Sequence, residues 1–597
     1  MFKNIMTSGL LGAAMLLGAT ACTDDHFDIL ADGTAGSNSL WENIQSSGQT
    51  DSLALILNRT IVMKSETDKS GKITYAEMLN QPQSFTFWAP KDGTYNAKHY
   101  LDMLDQRDDL LAKSTSTDSE ENDAAWRLNW TVANQLVQNH LARFNYADNS
   151  SLQKVRLLNA KVSYYDPAGL TFNNVAMDGE AIPSSNGTMH LLEGVSPFAY
   201  NIYDYIVYHD EFSKLWGVLS DPAIDKRVFS ETASTEGAMN ENGEMVYVDS
   251  VFYHTNEILD ASGALLSNED SLYVALLPTD EAWDKAYETV SNLYRYGSRY
   301  AYEWNDDQGK FMQTAQFNTD SLQAYNANRT LIQSSFFTTS RFSVPNQTDS
   351  AQVNAYAQTA DSLLSTNYTV FYNPNQGGLN PNFNGQAPVK ASNGYIYAVD
   401  SYNVNPGYTW IQRNEIKLSS DYFVAYVSGA TSDKGQLITL TEETRCDTIY
   451  GDLEDNMYRR FEKLGNSDMN VFIRLSGLYS GKYKISAEIV PTQINMSFPA
   501  NENEHAVFNY ELQDDEGNKI GSTVNDFETK SDSVRTYTLF ESIEIPKCYV
   551  SLPSDYSNSF VRLRFQMTAR HSRANAGNCK SLNISKIIVE PVREETL

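Results

Sequence analysis

The stretch YVALLPTDEAW, residues Tyr273–Trp283, runs from an apolar segment through a proline into an acidic turn. Its first five residues favour a short buried strand, which Pro278 ends because proline cannot donate a ladder hydrogen bond. Thr279 is a residue type that caps helices, and Asp280 and Glu281 follow in the first helical turn, where carboxylates favour the positive end of the helix dipole. The stretch therefore predicts a strand, a turn and a capped helix. No nucleophile stands beside a base in it, which indicates a structural role.

The same pattern occurs earlier in the chain as FTFWAPKDGTY, residues Phe85–Tyr95. Each copy is followed by an Asn-Gly pair, at 186–187 and 393–394, and is preceded by a matching helix-like segment. Asn-Gly accepts the backbone conformations that close a hairpin. Three elements recur in one order, which predicts that residues 39 to 410 form two copies of one domain.

These paired stretches resemble the signatures of the fasciclin-like domain family: an apolar strand ending in Pro-Thr/Asn-Asp/Glu-x-aromatic, and a later Asn-Gly-x-Ile-x-x-Ile-Asp hairpin. Residues 273–283 and 392–400 match well. The copy from Phe85 matches more loosely, with Lys91 in place of the capping Thr and Glu193 in place of the usual Asp. The resemblance implies α+β domains used outside the cell for adhesion and for protein or glycan contacts. It does not imply an enzyme.

After Trp410 the sequence changes to period-two alternation, as in SGKYKISAEIVP and FVRLRFQMTA, which is typical of half-buried strands. This region resembles the jelly-roll sandwiches of carbohydrate-binding modules. The whole chain is therefore predicted to be α+β and all-β, with two tandem fasciclin-like α+β domains at 39–199 and 200–411 and a jelly-roll-like β-sandwich at 412–597.

The main basic concentration of the chain lies in this last region and consists of Arg562, Arg564, Arg570, His571, Arg573, Lys580 and Lys586. It is interpreted either as a solvated face or as a surface for an acidic partner or glycan.

The N-terminal sequence predicts that the protein is exported from the cytoplasm. Residues 1–21 have a basic start and an apolar core too short to span a bilayer, which is typical of a signal peptide. The segment LLGATAC resembles a bacterial lipobox, which implies lipidation of Cys22. Residues 22–38 are polar and read as a flexible tether. The acidic pair Asp24 and Asp25 resembles the export signal of lipoproteins in bacteria with SusC/SusD uptake systems, which implies an outer-membrane location facing the cell exterior.

The formal charge of -30 makes nucleic acid a poor partner, because nucleic acid is bound through an excess of Lys and Arg. Apart from Cys22 the cysteines are Cys446, Cys548 and Cys579. Either Cys548 and Cys579 form a disulfide or all three stay reduced thiols. The histidines are scattered, and no zinc, P-loop, Rossmann or hydrolase motif is present. The sequence thus predicts no catalytic, cofactor-binding or metal-binding residue.

Asp-Ser or Asp-Thr followed by an apolar residue recurs along the chain and resembles an acceptor motif for O-glycans on secreted proteins of such bacteria. The residues concerned are Ser52, Ser250, Ser271, Ser321, Ser350, Ser362, Thr448 and Ser533. Such tripeptides also arise by chance in a chain rich in Asp and Ser.

Three functions fit these observations. The first is a non-catalytic surface lipoprotein that captures a glycan or peptide as an accessory subunit of a SusC/SusD-type transporter. The second is a freestanding adhesin that binds matrix or neighbouring cells. The third is a hydrolase with an unrecognised site in the C-terminal sandwich, since catalytic residues can be remote in sequence.

Overall fold

The computed structural model describes residues 36–593 except 64, 118, 147–150, 230–234, 240–244, 250–251, 299, 306–309, 317, 384, 499–503, 555–558 and 573–576. The predicted signal peptide, Cys22 and most of the tether lie outside this range. The chain divides after Asn201 into two compact units. It mixes helices with several sheets and is mostly β. The predicted boundary at 411 lies inside the second unit.

The first unit is an α+β structure. Its elements are α1 (Leu40–Ser46), α2 (Asp51–Arg59), α3 (Tyr75–Leu79), β1 (Phe85–Pro90), α4 (Ala97–Lys113), α5 (Glu120–Val132), β2 (Leu141–Arg143), β3 (Gln153–Arg156), β4 (Val162–Asp166), β5 (Thr171–Phe172), β6 (Val175–Ser184) and β7 (Gly187–Leu192). The strands form one seven-stranded sheet in the order β2-β1-β7-β6-β5-β4-β3. One apolar core lies under the helices and β1, and a smaller one surrounds Trp88.

The second unit begins with a region that repeats this plan. Its elements are α6 (Ile202–Tyr208), α7 (Ser213–Leu219), β8 (Asp225–Phe229), β9 (Thr235–Met239), β10 (Met245–Asp249), β11 (Phe252–Asn256), α8 (Glu257–Asp260), β12 (Tyr273–Pro278), α9 (Asp280–Ser291), β13 (Tyr300–Asn305), β14 (Lys310–Gln316), α10 (Thr319–Gln333), β15 (Phe336–Thr338), α11 (Ser350–Thr359), β16 (Ser362–Leu364), β17 (Val370–Tyr372), β18 (Val389–Ala391) and β19 (Gly394–Val399). Its central sheet has the order β15-β12-β19-β18, and β13 and β14 pair separately.

The two quoted stretches occupy equivalent places. β1 pairs in parallel with β7, and β12 pairs in parallel with β19. Phe85 lies opposite Gly187 in the first pair, and Tyr273 lies opposite Gly394 in the second. Both glycines have positive φ, and an added Cβ would lie 1.9 Å from the carbonyl oxygen of the opposite residue. The predicted strands and the need for glycine are thereby confirmed.

The asparagine of each Asn-Gly pair holds three segments together. The Asn186 side chain accepts from the Leu40 N–H at 2.8 Å and donates to the carbonyls of Leu79 and Gln81 at 2.8 and 2.7 Å. Asn393 makes the same contacts in the second unit, accepting from the Ile202 N–H and donating to the carbonyls of Leu266 and Asn268. The pair therefore fixes the start of a helix and a loop as well as a hairpin.

The aspartate of each quoted stretch caps a helix other than its own. Asp280 accepts from the Ser213 hydroxyl and from the Lys214 N–H, at the start of α7. Asp92 accepts from the N–H groups of Asp51 and Ser52, at the start of α2. Asp280 also stands in the first turn of α9, as predicted. These carboxylates satisfy N–H groups that a helix start leaves without partners.

The prediction that Thr279 caps α9 is wrong. Its side chain accepts no capping hydrogen bond, and its hydroxyl instead donates to Asp400 at 2.9 Å, just after the end of β19. In the first unit, Lys91 takes this place and bonds Glu193 at 2.7 Å and Asp178 at 2.6 Å. The ion pair of Lys91 with Glu193 in the first unit therefore replaces the hydrogen bond of Thr279 with Asp400 in the second.

The C-terminal part of the second unit consists of two antiparallel sheets. Its strands are β20 (Asn414–Lys417), β21 (Val424–Ser428), β22 (Gln436–Thr439), β23 (Met457–Glu462), β24 (Met469–Leu475), β25 (Gly481–Ile489), β26 (Val507–Gln513), β27 (Lys519–Glu528), β28 (Arg535–Ile545), β29 (Val561–Met567) and β30 (Ser581–Pro591). One sheet has the order β22-β23-β30-β25-β28 with β20 beside β30, and the other has the order β21-β24-β29-β26-β27.

Side chains of both sheets contribute to one apolar core. In β29 the apolar residues are buried and the residues between them are half-buried, which confirms the predicted alternation.

Candidate functional site

The predicted modification sites are dispersed over the chain. Ser250, like Cys22, lies outside the described residues, and the side chains of Ser321, Ser350, Ser362 and Thr448 are exposed. Ser52, Ser271 and Ser533 are half-buried. Some Asp-Ser pairs have a local structural role: Asp349 caps α11 just before Ser350 through the N–H groups of Ala351 and Gln352. O-glycosylation at these positions stays a prediction.

The disulfide between Cys548 and Cys579 is not formed. Both side chains are buried, but they have different neighbours. The Cys548 thiol lies 3.6 Å from the Val550 carbonyl, and the Cys579 thiol donates to the Ser581 carbonyl at 2.9 Å at the start of β30. Burial raises the pKa of Cys579, which favours the thiol form. The alternative interpretation, reduced thiols, describes the two cysteines in this structure.

The structure separates the basic concentration into several groups. Arg562 and Arg564 point away from the core on β29. Arg570 and His571 follow that strand and bond Asp526, with 2.7 Å between Asp526 and the His571 Nε2. Lys586 belongs to the other sheet, where it pairs with Glu415 and Glu454. Arg573 lies outside the described residues.

Arg562 and Arg564 lie at the centre of a polar and aromatic surface, the side of the β21-β24-β29-β26-β27 sheet that points away from the core. We call this surface the outer face. Its residues are Tyr422, Tyr426, Asn470, Phe472, Arg474, Asn509, Glu511, Gln513, Arg562, Arg564 and Gln566.

Cross-strand register arranges the outer face in rows. Tyr426 lies opposite Phe472, Phe472 opposite Arg564, and Arg564 opposite Glu511. Side chains that are opposite in a sheet are close enough to contact each other. One row therefore runs from an aromatic pair to an arginine and a carboxylate across four strands.

The next row carries amides. Asn470 lies opposite Gln566, and Gln566 lies opposite Asn509. The Asn509 amide donates to the Gln566 side-chain oxygen at 3.2 Å. Asn509 is buried and its side-chain oxygen accepts from the Asp526 N–H. The half-buried Asn470 and Gln566 are therefore the amides of this row that can contact a ligand carrying hydroxyl groups.

The aromatic side chains give the outer face its apolar surface. Tyr422 and Tyr426 are 57% and 59% exposed. The Arg474 guanidinium carbon lies 4.6 Å from the centroid of the Tyr422 ring and 3.8 Å from that of Phe560. This stacking holds Tyr422 beside the sheet while one side of its ring stays accessible.

Glu511 fixes the arginine at the centre. Its carboxylate accepts from Arg564 at 2.8 Å and from Thr523 at 2.7 Å, and it is 3% exposed. Burial acts to raise the pKa of Glu511, but hydrogen bonds from Thr523, Arg564 and neighbouring side chains lower it to about 2. The carboxylate therefore stays ionised near neutral pH and holds Arg564, which also donates to Asn470 at 2.7 Å.

The arrangement can bind a hydroxyl-rich ligand. Exposed tyrosine rings offer flat apolar area, and arginine and amide groups beside them offer directional hydrogen bonds. The arginines outnumber the carboxylate on the outer face, although the chain has a formal charge of -30.

Within the described ranges, no group of three or more His, Cys, Asp or Glu side chains is suited to a metal ion. The helices of those ranges lack the length and apolar character needed to cross a membrane.

No protein-family model matches the chain, and no curated protein matches it either. Some solved structures are weakly similar. A CBM35 module from Paenibacillus barcinonensis is 10% identical with a TM-score of 0.16, and the similarity covers 30% of this chain and 97% of the module. A family 29 carbohydrate-binding module complexed with cellulohexaose is 12% identical with a TM-score of 0.15, over 30% of this chain and 93% of the module.

A Podospora anserina GH26-CBM35 β-(1,4)-mannanase is 10% identical with a TM-score of 0.18, over 31% of this chain. The similar part spans only 29% of that enzyme. Similarities at this level assign neither fold nor ligand, so the two-sheet architecture rests on the strand order given above.

Proposed function

We propose that this chain is a non-catalytic, lipid-anchored glycan-binding protein of the cell surface, an accessory or ligand-capturing subunit of an outer-membrane SusC/SusD-type uptake complex. The observation that carries the proposal is the outer face, where exposed tyrosines lie beside arginines and side-chain amides. The C–H side of a sugar ring is apolar and packs on tyrosine, while its hydroxyls bond to the arginine and amide groups.

The outer face is also ordered before a ligand arrives. Arg564 is held by Glu511 and Asn470, and the Arg474 guanidinium lies over the rings of Tyr422 and Phe560. Side chains that are already ordered lose little conformational freedom on binding, so more of the contact energy appears as affinity. This supports a binding surface rather than a merely solvated one.

The lipid anchor and the transporter partners are inferred from the sequence. Lipid on Cys22 would hold the protein to the outer membrane, and the residues that follow are polar enough to act as a tether. We further propose that residues 39–199 and 200–411 are fasciclin-like domains that contact transporter subunits. Their equivalent strand registers and equivalent asparagine contacts support a common origin.

A freestanding adhesin is the second candidate, and the repeat is the observation that favours it. Tandem domains with equivalent strand registers give one chain two related modules, which suits simultaneous weak contacts to a matrix. This function would use the first 411 residues more than the outer face.

Co-purification separates these candidates. The native protein, tagged at its C-terminus, would be isolated in mild detergent from cells grown on polysaccharide, and co-eluting proteins identified by mass spectrometry. We expect transporter subunits to co-elute in comparable amounts. Recovery of the chain alone, combined with adhesion to host matrix, would favour the adhesin. Cleavage of any glycan by the pure protein would refute the non-catalytic proposal.

A further inference from the structure

A second surface feature lies in the second unit, where the C-terminal end of α9 and the segment after β19 meet β25 and β28. It is an open cleft of about 600 Å³. Ligand pockets in proteins are usually about 300–1,000 Å³, so this volume accommodates a small ligand. The residues that matter for the argument are Lys285, Arg295, Tyr402, Asn403, Lys482 and Glu544, all of which line the cleft.

Backbone hydrogen bonds hold the walls of the cleft together. The Ser480 N–H donates to the Leu293 carbonyl at 3.0 Å, and the Cys548 N–H donates to the Arg295 carbonyl at 2.7 Å. The Val592 N–H donates to the Lys482 carbonyl at 3.1 Å. These hydrogen bonds fix the walls of the cleft relative to one another, as in the largely preformed sites of small molecules.

The charge of the lining is opposite to that of the chain. Lys285, Arg295 and Lys482 contribute positive charges, and Glu544 is the one carboxylate among the described lining residues. Arg295 pairs with Glu544, but both side chains are more than two-fifths exposed. An exposed ion pair contributes roughly 0–1 kcal/mol, so a ligand carboxylate can take the place of Glu544 at little cost.

Tyr402 adds a hydroxyl group to the wall of the cleft. Its side chain is 8% exposed and lines the cleft. Its hydroxyl makes no hydrogen bond with any of the described residues. Burial raises its pKa, so the hydroxyl keeps its proton near neutral pH. A phenol on a cleft wall bonds water and can exchange that water for a ligand hydroxyl.

We infer that this cleft is a second binding site, separate from the outer face, for a small sugar that carries a carboxylate, such as a uronic acid. The cationic side chains suit the carboxylate, and Asn403, Asn405 and the Tyr402 hydroxyl suit ring hydroxyls. No exposed aromatic ring lines the described part of the cleft, so recognition relies on charge and hydrogen bonds rather than on stacking.

The test uses galacturonic acid as the probe and galactose as its neutral counterpart, titrated calorimetrically into the full mature chain. We expect galacturonic acid to bind and galactose to bind at least about tenfold more weakly, because an ionic hydrogen bond is worth roughly 1.5–3 kcal/mol. Raising the salt concentration should weaken the binding of galacturonic acid. Equal affinities for the two sugars, or no binding of galacturonic acid at about 10 mM, would overturn the inference.

Two variants assign the binding to the cleft. Tyr402→Phe removes only a hydroxyl and should lower the affinity for galacturonic acid about fivefold, whereas Lys482→Gln should lower that affinity about tenfold. Tyr450→Phe is the matched control, because Tyr450 is 73% exposed and does not line the cleft. Melting curves check that each variant is folded. Unchanged affinity in folded Tyr402→Phe and Lys482→Gln would overturn the assignment.

Discussion

Replacing Asn186 by alanine should destabilise the first unit by about 3 kcal/mol, because its side chain makes three hydrogen bonds and each is worth roughly 1 kcal/mol net. The side chain is only 6% exposed, so water cannot readily satisfy the groups left behind. Those groups are the Leu40 N–H and the carbonyls of Leu79 and Gln81. The loss should therefore loosen the start of α1 and the end of α3 together.

Scanning calorimetry of the full mature chain measures the effect. For a domain of this size, about 3 kcal/mol corresponds to a fall in Tm of roughly 6–12 °C. Asn393→Ala should act in the same way on the transition of the second unit, since Asn393 makes equivalent contacts. Asn145→Ala is the control, because Asn145 is exposed and its side chain bonds, among the described residues, the Thr188 hydroxyl. A fall in Tm no larger than that of Asn145→Ala would refute the reasoning.

Three further changes have defined outcomes. Cys22→Ala should release the protein from the outer membrane, and continued sedimentation of this variant with membranes would contradict the lipid anchor. Asp280→Ala should lower the stability of the second unit by about 1 kcal/mol through loss of the cap on α7, and an unchanged melting curve with abolished glycan binding would show that Asp280 belongs to a site instead. Burial lowers the pKa of His140 to about 4, whereas the pKa of the unfolded side chain is near 6.5. The folded state binds the proton less readily, so the contribution of neutral His140 to stability is complete above pH 6.5 and is lost as the pH falls toward 4, by up to about 1.4 kcal/mol per pH unit. The Tm of the first unit should accordingly fall more steeply between pH 6.5 and 4 than in His140→Gln, and parallel curves would contradict this assignment.

Local patterns predicted the local structure well. The strand at Tyr273–Pro278, the helix after it and the alternation in β29 follow from apolar spacing and proline placement, which act over a few residues. Long-range partners were not predictable in the same way. Thr279 is a residue type that often caps helices, but its hydroxyl bonds Asp400. The helix that Asp280 caps begins 67 residues earlier in the chain.

The outer face shows the same limit. Tyr426 could not be assigned to a face from the sequence, because the register of β21 shifts between Val424 and Tyr426. That shift breaks the period-two pattern and exposes the ring while Val424 and Val427 stay buried. The cleft could not be predicted from the sequence either, because the residues that line it come from segments that are distant in the chain.

The most direct test of the proposed function is affinity electrophoresis of the full mature chain in gels that contain individual plant or host polysaccharides. The wild-type protein should be retarded by at least one of them. Tyr422→Ala combined with Tyr426→Ala should remove most of that retardation, because these are the exposed aromatic rings of the outer face. Tyr450→Ala is the control for an exposed tyrosine elsewhere on the sandwich. Retardation that is equal in wild type and the double variant, or absent from every gel, would contradict glycan binding by the outer face.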